Sequence, residues 1–338
     1  MKKTLIIAEV GVNHNGRMKD ALELIKVSAE SGADIVKFQT FIPEELVTAS
    51  AEKANYQKNT TGKSGSQLEM LQKLALPLES FYELKKWSNK YGIEFLTTSF
   101  GEISTDFIIK LNLSRVKIPS GEITNLPYLR KLGSLGKPII LSTGMSNTDE
   151  IASAVQSLTD SGASLNDITL LHCISEYPTK ISNANLSCIS TLQKEFNTKV
   201  GFSDHTIGID ASKTAVALGA TVIEKHITLD RKMAGPDHKA SMDFKEFSLL
   251  VKEIRNVEDS LGDGSKVATK EEQKNKLVAR KSIIARHEIR KNDVFTSQNL
   301  ITKRPGKGIS PMKWDLVLGK TSNRDYLADE LIDEDELK

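Results

Sequence analysis

Eight short apolar segments, each closing on small polar or charged residues and separated mostly by stretches with helical spacing, constrain this chain more than any other feature. They are Leu5 to Ala8 running into Glu9, Asp34 to Val36 into Lys37-Phe38-Gln39-Thr40, and Glu94 to Thr97 into Thr98-Ser99. Arg115 to Ile118 then reaches Pro119-Ser120-Gly121-Glu122, Lys137 to Leu141 reaches Ser142-Thr143-Gly144, and Asp167 to Leu171 reaches His172-Cys173. Lys199 to Ser203 leads into Asp204-His205-Thr206, and Ala220 to Glu224 leads into Lys225-His226. Strands that alternate with helices predict a parallel sheet, because a parallel crossover needs a helix-length connection. Eight such units predict a (β/α)8 barrel over residues 1–262, with the polar strand ends gathered at one mouth, where the active sites of such barrels lie.

One connection breaks the rhythm. From about Phe41 to Ser66 the chain is polar and rich in Lys, Asn, Thr and Gly, too long for an ordinary strand-to-helix loop, and is predicted to be a lid. After the helical pattern Phe244 to Leu261 the chain turns polar and charged, which reads as a linker over 263–280. Residues 281–338 then carry short β-like pieces at Ser282 to Ala285, Asp293 to Phe295 and Leu300 to Gly308. So few apolar groups make a marginal free-standing domain, so this part is expected to dock on its own barrel or on a second subunit.

Charge excludes several classes. The 338 residues hold 46 basic and 44 acidic side chains, a net +2 with no long run of one sign, so neither nucleic acid nor a membrane surface is an expected partner. The start resembles a signal peptide, but Glu9 interrupts its apolar run early, and no stretch approaches a membrane span. Cys173 and Cys188 are too few for a disulfide framework and lie in no metal-type spacing, which fits reduced thiols in a cytoplasmic protein.

The chemistry centres on two histidines. A single histidine at a strand end is more often a hydrogen-bonded structural residue than a ligand. His205 and His226, however, end consecutive segments, and adjacent strands lie about 5 Å apart, so the two rings are candidates to share one divalent ion. Barrel closure brings Glu9 of the first strand near His226, and Asp237 follows in the next loop. Two imidazoles with nearby carboxylates and no thiolates suit Mn²⁺, Mg²⁺, Co²⁺ or Zn²⁺, with positions left open for water or substrate. Elsewhere on the mouth, Lys37 and Lys117 stand at strand ends where a lysine gains the fold little. With Ser120-Gly121 and Ser142-Thr143-Gly144 they describe a pocket for a phosphate or carboxylate. Cys173, with His172, reads as rim packing, His14 as a turn brace or substrate contact, and His287 as a surface residue.

Taken together, Glu9 to Gly16 (EVGVNHNG), Val36 to Phe41 (VKFQTF), Lys117 to Glu122 (KIPSGE), Leu141 to Met145 (LSTGM), Glu176 to Thr179 (EYPT), Ser203 to Thr206 (SDHT), Glu224 to His226 (EKH) and Gly235 to His238 (GPDH) closely resemble the bacterial sialic acid synthases. Lys303 to Gly306 and Gly308 to Pro311 resemble that family's C-terminal antifreeze-like (SAF) domain. The resemblance covers nearly the whole chain. It implies condensation of phosphoenolpyruvate with an open-chain N-acylated hexosamine, giving a nine-carbon keto sugar acid and phosphate. It further implies that His205 and His226 bind Mn²⁺, that Lys37, Thr98, Lys117, Ser120, Ser142 and Ser203 bind phosphoenolpyruvate, and that Glu9, Tyr177 and Asp237 stand at the sugar and reaction centre. Glu9 is the candidate for proton transfer. By the same resemblance Arg304 of the SAF domain reaches the sugar's N-acetyl group across a domain-swapped homodimer. Some relatives carry asparagine two positions before the tyrosine, where this chain has Ser175.

The sugar is the open choice. Lys303 to Pro311 and Asn275 to Ile284 favour N-acetylmannosamine, hence N-acetylneuraminate as product. The rival is N,N'-diacetyllegionaminate synthesis from 2,4-diacetamido-2,4,6-trideoxymannose, whose synthases share nearly all these motifs. Two readings from other classes are a non-catalytic sugar-binding barrel and an aldolase forming a Schiff base on Lys117, which would need a desolvated lysine. The paired histidines and paired lysines argue for the condensing enzyme over both.

Overall fold

The computed structural model describes residues 3–62 and 64–337. Strands β1 (Leu5–Gly11), β2 (Ile35–Phe41), β3 (Glu94–Phe100), β4 (Val116–Ile118), β5 (Ile139–Ser142), β6 (Ile168–Cys173), β7 (Lys199–Asp204) and β8 (Val222–His226) form a closed parallel barrel in sequence order. The predicted (β/α)8 architecture is the observed one. Buried aliphatic residues such as Ile6, Ile35, Leu96, Ile118, Leu170 and Ile223 belong to one apolar core. Two-sided burial is why the segments read as nearly continuous apolar runs rather than as alternating ones.

Register fixes which side chains meet at the mouth. Closure pairs Glu9 with His226, as barrel closure predicts; Thr98 pairs with Lys117, and Ser203 with Glu224. The β1–β2 register slips between Glu9 and Gly11, where Gly11 takes φ +54°. Such a bulge re-aims the chain at a barrel rim. Gly201 has a different task. A Cβ there would lie 2.5 Å from the Val222 carbonyl oxygen and 2.6 Å from Leu171 Cδ2, so only glycine admits this approach of β8.

The insertion after β2 is a built substructure. It contains short helices Pro43–Leu46 and Asn55–Thr61 and leads into the helix Gln67–Leu74. Its footing is apolar: Phe41, Met70, Leu71 and Leu74 pack with Val12 in a small separate core. The last barrel helix, Phe244–Leu261, starts at a capping box in which Asp243 accepts from the Glu246 N–H and Glu246 accepts from the Asp243 N–H.

The chain divides into two compact units at Asp263/Gly264. In the second, β9 (Ser282–Ala285) and β10 (Leu300–Lys303) pair antiparallel, and Ile283, Phe295, Leu300, Val317 and Tyr326 form a core of their own. The Tyr326 hydroxyl donates to Glu336 at 2.8 Å within that core. Two expectations change here. The stretch read as linker contains a helix, Lys270–Ala279, capped by Thr269 and Glu272 but burying no residue, which is why its sequence shows no apolar stripe. Asp293 to Phe295 forms only an isolated bridge, Val294 to Thr321, with Phe295 serving the core. Among the described residues no helix is long and apolar enough to cross a membrane.

Overpacking a filled core costs about 1–3 kcal/mol. Gly201→Ala is therefore expected to lower stability by at least that much, read as a lower urea midpoint at unchanged slope; an unchanged midpoint would show that β8 can yield.

Candidate active site

Two lysines and two carboxylates occupy the bottom of the barrel mouth with almost no exposure: Glu9 2%, Lys37 4%, Lys117 2% and Glu224 5%. Lys37 Nζ lies 2.7 Å from Glu9 Oε2 and 3.6 Å from Glu224 Oε2, and Lys117 Nζ lies 3.8 Å from that same Glu224 oxygen. Glu224 thus sits between both cations, and Ser203 Oγ donates to its other oxygen at 3.0 Å. Lys117 donates to Ser142 Oγ at 2.6 Å, and Lys37 to Thr98 Oγ1 at 3.4 Å. The structure therefore brings together Glu9, Lys37, Thr98, Lys117, Ser142 and Ser203.

Burial and neighbours divide the charges unequally. Burial raises the Glu9 carboxyl well above the ordinary range, and Lys37 only partly opposes it. Burial also acts to raise Glu224, but Lys117, Lys37 and the Ser203 hydroxyl outweigh it and hold that carboxyl low. Burial lowers the Lys117 ammonium. It acts the same way on Lys37, where Glu224 and Glu9 overcome it and hold the cation above its usual range. Among the described residues Glu9 Oε2 and Glu224 Oε2 are met only by lysine ammonium groups, so these contacts are ion pairs.

Ser120 is placed differently from the others. Its hydroxyl accepts the Gly144 N–H at 2.9 Å and faces Cys173 Sγ at 3.3 Å. The Gly144 amide, expected as part of an anion cradle, is thereby already engaged. The Ser120 hydroxyl proton and the Ser142 hydroxyl remain the polar groups on that arc.

The two histidines face each other across the β7–β8 seam, ring centroids 5.5 Å apart. His205 Nδ1 is 2.7 Å from the Ile174 carbonyl, which fixes it as the protonated nitrogen and leaves Nε2 with a bare lone pair. His226 Nδ1 is buried without a hydrogen-bond partner among the described residues. Burial holds both rings neutral, His226 most strongly and with a further push from His205. A neutral imidazole with an unspent nitrogen is a metal ligand in waiting, so this donor pair fits a divalent ion. Among the described residues no group of three His, Cys, Asp or Glu stands close enough to make a complete protein cage. An ion held by these two histidines would have positions for water or substrate.

Tyr177 lies over the pair, its ring 4.1 Å from His205 and edge-on to His226 at 5.7 Å. Asp237 is buried in the loop after β8, and burial pushes its carboxyl up to about 6. His14 braces the turn through its Nδ1, which accepts the Gly16 N–H at 3.1 Å, while its Nε2 is buried without a hydrogen-bond partner among the described residues. His172 is bound to the Ala184 carbonyl at 2.8 Å, a rim contact as expected. Arg304 lies in the second unit, exposed.

Two residues received no role in the sequence reading. Glu224 was visible in principle, since the period of two along β8 puts it on the face of His226, and Lys225 on the opposite face. There Lys225 pairs with buried Asp204 at 2.8 Å. Tyr56 gave no such signal, because it sits in a polar insertion; its ring packs 5.0 Å from Tyr177.

Residues 24–266 match the model of the NeuB family, and residues 280–338 match that of the SAF domain. The chain belongs to the NeuB family. It is 51% identical to the N,N'-diacetyllegionaminic acid synthase of Campylobacter jejuni over 99% of this chain and 100% of that one. It is 46% identical to the protein of the same name from Legionella pneumophila, over 93% of this chain and 89% of that one. A crystal structure of the N-acetylneuraminic acid synthetase of Leptospira borgpetersenii in complex with citrate superposes with TM-score 0.71 at 31% identity, covering 81% of this chain and 90% of that one. The (β/α)8 barrel followed by an SAF domain is thus this NeuB chain's architecture.

Removing one partner of a buried ion pair costs about 3–5 kcal/mol, most of it the penalty of the charge left behind. In this NeuB chain Lys37→Met is expected to lose that much in urea unfolding, and Lys37→Met combined with Glu9→Gln to recover part of it. Additive losses in the double variant would contradict the coupling.

Proposed function

We propose that this chain condenses phosphoenolpyruvate with 2,4-diacetamido-2,4,6-trideoxymannose and water, giving N,N'-diacetyllegionaminate and phosphate. The chain is a nonulosonic acid synthase, a transferase that forms a C–C bond from phosphoenolpyruvate. The choice of sugar rests on one observation, the end-to-end 51% identity with the Campylobacter jejuni diacetyllegionaminate synthase. The sequence motifs alone lean to N-acetylmannosamine, but that lean comes from residues 275–284 and 303–311, which all lie in the second unit. Similarity over barrel and SAF domain together outweighs it.

In this reading the lysine arc receives phosphoenolpyruvate. Lys37 and Lys117 offset the charge of its phosphate and carboxylate, while Thr98, Ser120, Ser142 and Ser203 supply hydroxyls within the same arc. Glu224 keeps the two ammonium groups converged before substrate arrives. His205 and His226 would hold Mn²⁺, with Mg²⁺ or Co²⁺ as substitutes, and a bound divalent ion supplies Lewis acidity toward the sugar aldehyde. Tyr177 and Asp237 flank the sugar. The enol C3 attacks the aldehyde carbon, water adds at C2, and the C2–O bond to phosphate breaks as the keto acid forms. Glu9, held near neutrality by burial, is the group that takes and returns a proton in this sequence, since a catalytic acid or base works best with a pKa close to the working pH.

We take the working unit to be a homodimer with Arg304 contributing to sugar binding. Sedimentation and assay of a chain lacking residues 281–338 test this: a dimer without activity supports it, and a fully active truncated barrel overturns it.

Phosphate release assayed with each hexose tests the sugar assignment, and the proposed hexose is expected to show the higher kcat/KM. His205→Ala is expected to melt like the parent yet lose Mn²⁺-dependent turnover. Turnover that survives both this substitution and chelation would remove the histidine pair from the mechanism.

A further inference from the structure

The insertion after β2 spends its side chains on its own shape. Lys53, buried, donates to the carbonyls of Gly62 at 3.1 Å and Ser64 at 2.6 Å, which ties the segment into a closed loop. Gln57, also buried, accepts the Ala54 N–H at 2.9 Å and caps the helix Asn55–Thr61, and Thr61 Oγ1 donates back to the Gln57 carbonyl at 2.7 Å. The side chain this scaffold delivers is Tyr56. Its ring lies 5.0 Å from Tyr177, whose ring lies 4.1 Å from His205, so three rings run in series from the lid to the histidine pair. Tyr56 OH has one weak contact, from Gln57 Nε2 at 3.4 Å. Burial raises the phenol pKa, and the nearby Asp237 carboxylate raises it further. Tyr56 therefore packs against Tyr177, one of the two residues assigned above to the sugar, and lies within electrostatic range of Asp237, the other.

We propose that Tyr56 is a specificity-determining residue, forming with Tyr177 an aromatic wall for the methyl-bearing edge of the hexose. This deepens the reading given under Proposed function and rests on it. A 2,4-diacetamido-2,4,6-trideoxy hexose carries methyl groups at C6 and on the C4 acetamide, where N-acetylmannosamine carries hydroxyls. An aromatic face gains by covering a methyl group. The same face strips water from a hydroxyl and returns no hydrogen bond, which penalises the more polar sugar. The wall comes from the lid, so its contact with sugar is made without moving the lysine arc.

Kinetics of the full chain with Mn²⁺ decide the point, using Tyr56→Ala and Tyr56→Phe with each hexose and with phosphoenolpyruvate varied separately. Loss of a methyl-sized apolar contact changes kcat/KM by roughly 10- to 100-fold. Tyr56→Ala is expected to lose that much with the diacetamido-trideoxy hexose, through a raised KM. Its loss with N-acetylmannosamine is expected to be much smaller, and KM for phosphoenolpyruvate to stay unchanged. Tyr56→Phe, which keeps the ring, should stay close to the parent. Equal losses on both sugars, or a lower kcat at unchanged KM, overturn the role of Tyr56 while leaving the sugar assignment intact. A parent enzyme that prefers N-acetylmannosamine overturns the sugar assignment itself, and with it the direction of discrimination.

Discussion

The buried contact of Glu224 with both Lys37 and Lys117 is the constraint on which the mouth of this barrel depends. Two ammonium groups in one dry site repel each other and each pays several kcal/mol for lost water. Glu224, low in pKa and anchored by Ser203, makes their convergence tolerable, and Glu9 shares the load on Lys37. On each carboxylate Oε2 is the oxygen that meets the lysines.

From that cluster the rest of the site follows by register. β8 carries Glu224 and His226 on one face, so the anion arc and the histidine pair share a strand. β1 places Glu9 opposite His226, and the bulge at Gly11 turns the chain away immediately afterwards. Asp204 and Lys225 point to the other face and form their own buried pair, with the Thr206 amide and hydroxyl and the Ser212 hydroxyl all donating to Asp204. That pair braces the turn that carries His205. Along these strands residues facing the barrel mouth alternate with the buried Asp204–Lys225 pair.

Much of this was legible in the sequence, for identifiable reasons. A (β/α)8 barrel writes its strands as apolar runs and its mouth as the polar groups that end them, so Glu9, Lys37, Lys117, Ser142, His205 and His226 could be placed at the mouth by position. Glu224 was quoted within the EKH motif but given no role, because at the end of an apolar run it reads as part of the strand until the period of two places it on the face of His226. Tyr56 was beyond reach: it belongs to a polar insertion whose fold is set by side-chain to backbone bonds from Lys53 and Gln57, which leave no periodic trace. Ser120 was found, but its engagement with the Gly144 amide depends on a meeting of two loops that spacing does not encode. The lean to N-acetylmannosamine came from motifs in the second unit, whereas the end-to-end similarity favours the diacetamido-trideoxy hexose.

On the proposed function the barrel mouth has two separable arcs, lysines for the anion and histidines for a divalent metal. Calorimetric titration of phosphoenolpyruvate and of Mn²⁺, each alone, into the parent, Lys117→Met and His226→Ala measures this most directly. Lys117→Met should lose phosphoenolpyruvate binding and keep Mn²⁺, and His226→Ala should do the reverse. Loss of both ligands in each folded variant would contradict the division.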